Sequence, residues 1–289
     1  MQPRWVRWTV IVLAALLALS LALYAVPSDA APPEVTAPRA GASGTAPRVV
    51  RPPVDAPADY QLGGAYPPAA GVRVVVRDRR ARPTGRYDVC YVNAFQTQPG
   101  ELRWWRTQHP ALLLRRAGKL VRDPGWPDEV LLDTSTAAKR RSLAAVLGRW
   151  VSGCAHAGFD GLEPDNLDSW QRSRHRLTRT DNLDLARRLV ARAHEDGLAV
   201  AQKNTAELTS VEVARVGFDF AVAEDCAVYA ECGSYARLYG DHVLEIEYVD
   251  SGRPRFDRAC AARGDRWSIV YRDRDLVPAG QRGHVRASC

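Results

Sequence analysis

The segment Gly158–Trp170, GFDGLEPDNLDSW, is a short apolar run that ends in Glu163, Asp165, Asn166 and Asp168. Carboxylates crowded where an apolar strand stops repel one another and raise each other's pKa. Such a site suits chemistry in which one acid must hold a proton while another stays ionised. The pattern points to a carboxylate enzyme, although an acidic loop can also do no more than cap a helix.

Competing site types are missing from the sequence. There is no GxSxG elbow and no GxxxxGK[ST] phosphate loop, and His194-Glu195 is followed by Leu198 where a second zinc-binding histidine would stand. The six histidines are scattered, so neither a metal nor a cofactor is expected. The net charge of +7 raises the question of nucleic acid. Its basic residues are nearly all arginines interleaved with aspartates, as in VRDRRAR at Val76–Arg82, with no aromatic platform or recognition-helix pattern. Lysine occurs only at 119, 139 and 203. Carboxylates at separate strand ends without a metal set suggest glycoside hydrolysis, in which one acid protonates the leaving oxygen and the other acts as nucleophile or base.

Arg4 and Arg7 precede an uncharged run, Thr9–Val26, with small residues at Ser28 and Ala30. Residues 1–30 therefore read as a signal peptide, or as a membrane anchor if retained. Ala31–Ala58 is rich in Pro, Ala, Gly and Thr, a composition that buries no core and is expected to be a disordered linker. Asp59–Cys289 has the length of a single β/α barrel. The expected protein is secreted, monomeric, and tethered to a membrane only through an uncleaved N-terminal segment. Six cysteines in an exported chain imply disulfides, with 15 connectivities open. Cys226–Cys232 is the favoured pair.

Short β-like runs alternate with amphipathic helical runs. Strands are expected at Tyr60–Leu62, Val72–Arg77, Val89–Asn93, Val130–Asp133, Phe159–Glu163, Ala199–Lys203, Phe218–Ala223 and Val243–Glu247. Helices are expected over Ala137–His156, capped by Ser135 or Thr136, and after Thr180 or Asp181 up to Gly197. Eight strands with intervening helices close as a (β/α)8 TIM barrel, whose chemistry sits at the strand C-terminal ends. Those ends carry Asp133, the Glu163–Asp168 cluster, Lys203 with Asn204, Glu224, and Glu247 with Tyr248. Alternation sets Leu162 opposite Glu163 and Asp165, and Leu244 and Ile246 opposite Glu245 and Glu247, with the apolar set expected to face helices. Phe218, Phe220 and Val222 share parity with Glu224, so a bulge or turn is expected after Ala223.

Six ordered segments, YDVCYVNAF (Tyr87–Phe95), EVLLDT (Glu129–Thr134), GFDGLEPDNLDSW, AQKNTAEL from Ala201, FDFAVAEDCAVYAEC (Phe218–Cys232) and EIEY (Glu245–Tyr248), together resemble the glycoside hydrolase family 114 domain. The resemblance covers nearly all of Tyr60–Tyr248. It implies a β/α barrel with endo-α-1,4-polygalactosaminidase activity and a galactosamine-containing polysaccharide as substrate. It also makes Asp165 and Glu224 the catalytic pair. Asp165 is then nucleophile or base, and Glu224 is proton donor on account of the apolar Phe218, Phe220 and Val222, with the reverse assignment open. Asp133, Glu163, Asn166, Asp168, Asn204, Glu247 and Tyr248 would bind sugar hydroxyls or amines, Tyr248 by stacking as well. Lys203 would pair with a carboxylate or touch substrate. An acidic cleft would attract a cationic amino-sugar polymer despite the basic overall balance. The chain departs from the family pattern at Ala223 and at Arg77-Asp78-Arg79, which leaves the sugar a family-level implication. The alternative is a barrel that binds cell-surface polysaccharide without cleaving it.

Overall fold

The computed structural model describes residues 48–289. The expected signal or anchor at 1–30 and the linker residues 31–47 lie outside them. Nine strands form one sheet in sequence order: β1 (Ala58–Gln61), β2 (Val74–Asp78), β3 (Tyr87–Asn93), β4 (Gly161–Asp165), β5 (Ala199–Lys203), β6 (Phe220–Glu224), β7 (Val243–Tyr248), β8 (Ser268–Arg272) and β9 (Arg286–Ser288). Pairing is parallel from β1 through β8, and β9 adds antiparallel to β8. Helices intervene after β3, between the strands from β4 to β8, and pack outside, giving a (β/α)8 barrel. Guanidinium groups stitch β8 and β9 to β1. Arg272, fully buried, donates to the Tyr60 carbonyl and to Asp59 (3.3 Å), while Arg286 donates to the Ala58 carbonyl (2.8 Å).

The expected count of eight barrel strands holds, but one member differs. Val130–Asp133 is an extended segment outside the barrel, tied by isolated antiparallel bridges to Gln96, Leu113 and Arg122. The eighth strand is SIVYR, Ser268–Arg272. A four-residue apolar run marks burial without saying which layer it is buried in.

The packed structure also begins before the expected boundary at Asp59. Ala56 and Ala58 are buried, and Val50 accepts a hydrogen bond from the Tyr87 hydroxyl at 2.7 Å. Small residues suit the crowded barrel base.

Two cores flank the sheet. Val74, Val76, Val89, Ala199, Ala201, Phe220, Val222, Leu244, Ile246 and Val270 fill the barrel interior. Leu162, Val200, Ala221 and Ala223 face the helices. The interior filling removes the parity problem in β6. Phe220, Val222 and Glu224 all point inward, the first two as lower layers and Glu224 at the mouth, and the ladder to β7 runs unbroken from Ala221 to Glu224. The same rule reverses the expectation for β7: Leu244, Ile246 and Tyr248 point inward, and Glu245 and Glu247 point out toward the helices.

The two long helices follow their capping chemistry. Ala137–Ala157 starts at Thr136, whose hydroxyl accepts from the Lys139 N–H, and stops at Gly158 with φ +96°. Arg179–Glu195 begins two or three residues earlier than expected, because Thr178 and Asp181 form a reciprocal capping box. Three disulfides, Cys90–Cys154, Cys226–Cys232 and Cys260–Cys289, use all six cysteines. The favoured pair is among them.

Candidate active site

Strands β4, β5 and β6 deliver Asp165, Lys203 and Glu224 to one point. Lys203 Nζ lies 3.0 Å from Asp165 Oδ1, 3.2 Å from Glu224 Oε2 and 2.8 Å from Glu163 Oε1. The two oxygens that share the ammonium, Asp165 Oδ1 and Glu224 Oε2, are therefore at most about 6 Å apart, within reach of a single glycosidic bond. The backbone turns sharply after each of these residues. Asn166 (φ 65°), Asn204 (φ 47°) and Asp225 (φ 53°) are left-handed, a conformation that Asn and Asp adopt more readily than other side chains. Each strand thus stops at the residue that meets the other two and leaves its side chain at the rim.

Hydroxyls and amides fix both carboxylates. Tyr91 donates to Asp165 Oδ2 at 2.6 Å, and Asn166 Nδ2 donates to the same oxygen at 3.3 Å. Tyr248 donates to Glu224 Oε1, and Asn204 Nδ2 to Glu224 Oε2 at 3.1 Å. Burial alone would raise the Asp165 pKa, but Lys203 and the Tyr91 hydroxyl outweigh it and hold this carboxyl below its ordinary range. Burial would also strip Lys203 of its proton, yet Asp165, Glu163 and Glu224 around it keep it cationic. Below them Glu163 is fully buried, accepting from Tyr60 at 2.6 Å, and burial pushes it up to about 7 against the pull of Lys203.

These groups open into a cleft of about 720 Å³. Its lining carries six carboxylates (Asp123, Glu129, Asp165, Asp168, Glu224, Asp275) and four cations (Arg80, Arg172, Lys203, Arg274). Every cation is already tied to a carboxylate: Arg80 to Asp78, Arg172 to Asp123 and Asp168, and Arg274 to Asp225 and Asp250. An acidic surface inside a basic protein is the result.

Of the residues expected to contact sugar, Asn166, Asp168, Lys203, Asn204 and Tyr248 line the cleft. Three expected sugar contacts do not. Asp133 lies off the barrel and binds Ser135 and Lys139 at the start of the following helix. Glu163 is sealed beneath Lys203. Glu247 points outward, accepting from the Ala227 N–H at 3.0 Å, because the interior places of β7 belong to Leu244, Ile246 and Tyr248. Two expected surroundings also differ. Glu224 sits among Lys203, Asn204 and Tyr248 rather than apolar groups, and the Tyr248 ring is covered by the Arg274 guanidinium at 3.8 Å, which leaves that face closed to a sugar. Tyr60, Tyr91, Trp126, Glu129 and Arg274 escaped the sequence reading. Tyr91 shares inward parity with Val89, a signal that was present in YDVCYVN.

The model of glycoside-hydrolase family GH114 matches residues 39–289. The chain belongs to that family. As a GH114 protein it is a glycoside hydrolase. Among solved structures it is similar to Ega3 of Aspergillus fumigatus in complex with galactosamine, at 20% identity and a TM-score of 0.64 over 87% of this chain and 100% of that one. It is also similar to the glycoside hydrolase domain of PelA from Pseudomonas aeruginosa, at 16% identity and a TM-score of 0.55 over 78% and 97%. At these identities the likeness concerns the fold. No curated protein is matched by the chain. Membership in GH114 gives the chain its chemistry, the cleavage of glycosidic bonds.

Proposed function

We propose that this GH114 protein is an exported enzyme, acting as a single chain, that cleaves α-1,4 linkages within a galactosamine-containing polysaccharide. Asp165 is the nucleophile and Glu224 the acid/base. The observation that carries the proposal is the meeting of these two carboxylates on Lys203 in an acidic cleft. Lys203 and Tyr91 keep Asp165 ionised, as a nucleophile requires. Glu224 is the more solvent-exposed, at 25% against 17% for the side chains, as suits the group that must exchange protons with water.

In the first step Glu224 gives its proton to the glycosidic oxygen while an Asp165 oxygen attacks the anomeric carbon, forming a glycosyl ester and releasing the leaving chain. Glu224, now ionised, takes a proton from water, whose oxygen attacks the same carbon and expels Asp165. The gap of at most about 6 Å between Asp165 Oδ1 and Glu224 Oε2 supports double displacement, since single displacement sets its carboxyl groups about 6.5–9.5 Å apart to leave room for water. The galactosamine preference draws on the excess of carboxylates in the cleft and on the ligand held by the Aspergillus structure. The three disulfides support an oxidising compartment. Among the described residues no helix is long and apolar enough to cross a membrane.

Incubation with partly deacetylated galactosamine and glucosamine polymers, with products sized and their anomeric configuration read by NMR, tests the proposal. Internal cleavage of the galactosamine polymer with retained configuration is expected. Polymer bound on a column without new reducing ends would favour the binding-only alternative.

A further inference from the structure

On the Asp165 side of the cleft, the loop DPGWPDE, Asp123–Glu129, presents two groups that the proposed reaction does not use. Glu129 is 7% exposed. Its Oε2 accepts from Asn93 Nδ2 at 2.9 Å, and Asn93 in turn accepts from Asn166, the neighbour of Asp165. Its Oε1 has no hydrogen-bond partner among the described residues, although Glu129 forms part of the cleft wall. The nearby cation, Arg172, is committed to Asp123, Asp168 and Asn166. Glu129 thus turns toward the cleft one carboxylate oxygen that no protein donor and no cation in contact occupies, open to a donor on a ligand.

Trp126 is the second group. It lines the same wall at 57% exposure, an unusual position for a large indole. Its loop is held in place, since Asp123 Oδ1 accepts from the Gly125 and Trp126 N–H groups at 2.7 and 3.2 Å, and Asp123 Oδ2 is pinned by Gln96 and Arg172. An exposed indole on a fixed loop offers a flat face for the apolar side of a sugar ring.

We propose that Glu129 and Trp126 form a subsite for a sugar bearing a free ammonium group, with Trp126 stacking on the ring and Glu129 Oε1 accepting from the amine. The inference rests on the glycosidase reading above and deepens it: it names the residue that separates a free amine from an N-acetyl group. An acetamide puts a neutral, bulkier substituent where Glu129 offers an anionic acceptor. Burial, only partly offset by the Asn93 hydrogen bond and reinforced by Asp165 and Asp123, pushes Glu129 up to about 7, and a bound ammonium would favour its ionised form.

The test uses the full-length chain carrying Glu224→Gln, so that ligand survives titration calorimetry with galactosamine oligosaccharides and their N-acetylated counterparts. Adding Glu129→Gln keeps an oxygen for Asn93 and should lower the affinity ratio, free amine over N-acetyl, by about tenfold or more. Adding Trp126→Ala instead should remove ring stacking common to both ligands, weakening each by about tenfold and leaving their ratio unchanged. An unchanged ratio in the Glu129→Gln protein, with its thermal melt intact, would overturn the amine contact. Unchanged affinities in the Trp126→Ala protein would overturn the platform. Binding is read without turnover, so these outcomes stay separate from a failure of wild-type enzyme to cleave any polymer, which would count against the proposed function instead.

Discussion

Lys203 Nζ lies 2.8 Å from Glu163 Oε1, and the two side chains are 3% and 0% exposed. This ion pair lies under the rim, with the Tyr60 hydroxyl 3.2 Å from the ammonium and 2.6 Å from the same Glu163 oxygen. Removing one partner of a buried pair leaves the other uncompensated, at a cost of about 3–5 kcal/mol. Lys203 also faces Asp165 and Glu224, so Lys203→Met should lose activity and lower stability by that amount in urea titrations. Glu163→Gln keeps an oxygen for Lys203 and Tyr60 and should cost less. Equal stability of Lys203→Met and wild type would remove the lysine from the centre of the site.

The acid limb of the kcat/KM profile should follow Asp165, which must be ionised to attack. Its pKa is held below the ordinary carboxylate range, so activity should persist below about pH 4. Tyr91→Phe deletes a hydrogen bond to the charged carboxylate, worth about 1.5–3 kcal/mol. At 1.36 kcal/mol per pKa unit the acid limb should rise by about one to two units. A limb that stays in place would mean that another group sets it.

Glu247 offers a test of the outward-facing side of β7. Burial, with Glu245 beside it and the Ala227 N–H pulling the other way, raises its pKa to about 7. In the unfolded chain it titrates near 4.3. A carboxyl with a raised folded-state pKa contributes stability that is fully present below the unfolded value and is lost as pH rises through the folded one. Wild type should therefore lose up to about 3–4 kcal/mol between about pH 4.5 and 7 relative to Glu247→Gln. Parallel curves of stability against pH for the two proteins would show Glu247 to be solvated.

Much of this site was legible because chemistry and alternation coincide at the strand ends. Asp165 shares its parity with Glu163 and opposes Leu162, so the fifth expected strand, now β4, oriented itself. The two failures in β6 and β7 had one cause. Barrel interiors are packed with large apolar side chains in layers, so Phe220, Val222, Leu244 and Ile246 belong inside, and polarity marks only the topmost inward residue of each strand. Once that rule is applied, Glu224 and Tyr248 are the inward residues and Glu247 is not. Ser268–Arg272 was hidden because its last residue, Arg272, is an arginine buried by pairing with Asp59, a partner at the other end of the chain. The Asp123–Glu129 loop carries no periodicity. Its place in the cleft wall comes from its position against β3 and β4, which spacing does not encode.

The disulfides should differ in their contribution. By the loop-closure estimate, Cys90–Cys154, which spans 64 residues, contributes about 4 kcal/mol, and Cys226–Cys232, which spans 6, about 2 kcal/mol. Paired Cys→Ala variants should rank in that order in thermal melts. The short bridge lies just beyond Glu224, so its loss should lower activity more than stability. A reversed order in the melts would contradict the loop-length account.

The most direct measurement is the initial rate of new reducing ends from a galactosamine polymer, for wild type, Asp165→Asn and Glu224→Gln, with folding of each confirmed by circular dichroism. Both variants should lose about 10²–10⁴-fold in rate. A folded variant at either position that cleaves at close to the wild-type rate would contradict the two-carboxylate account.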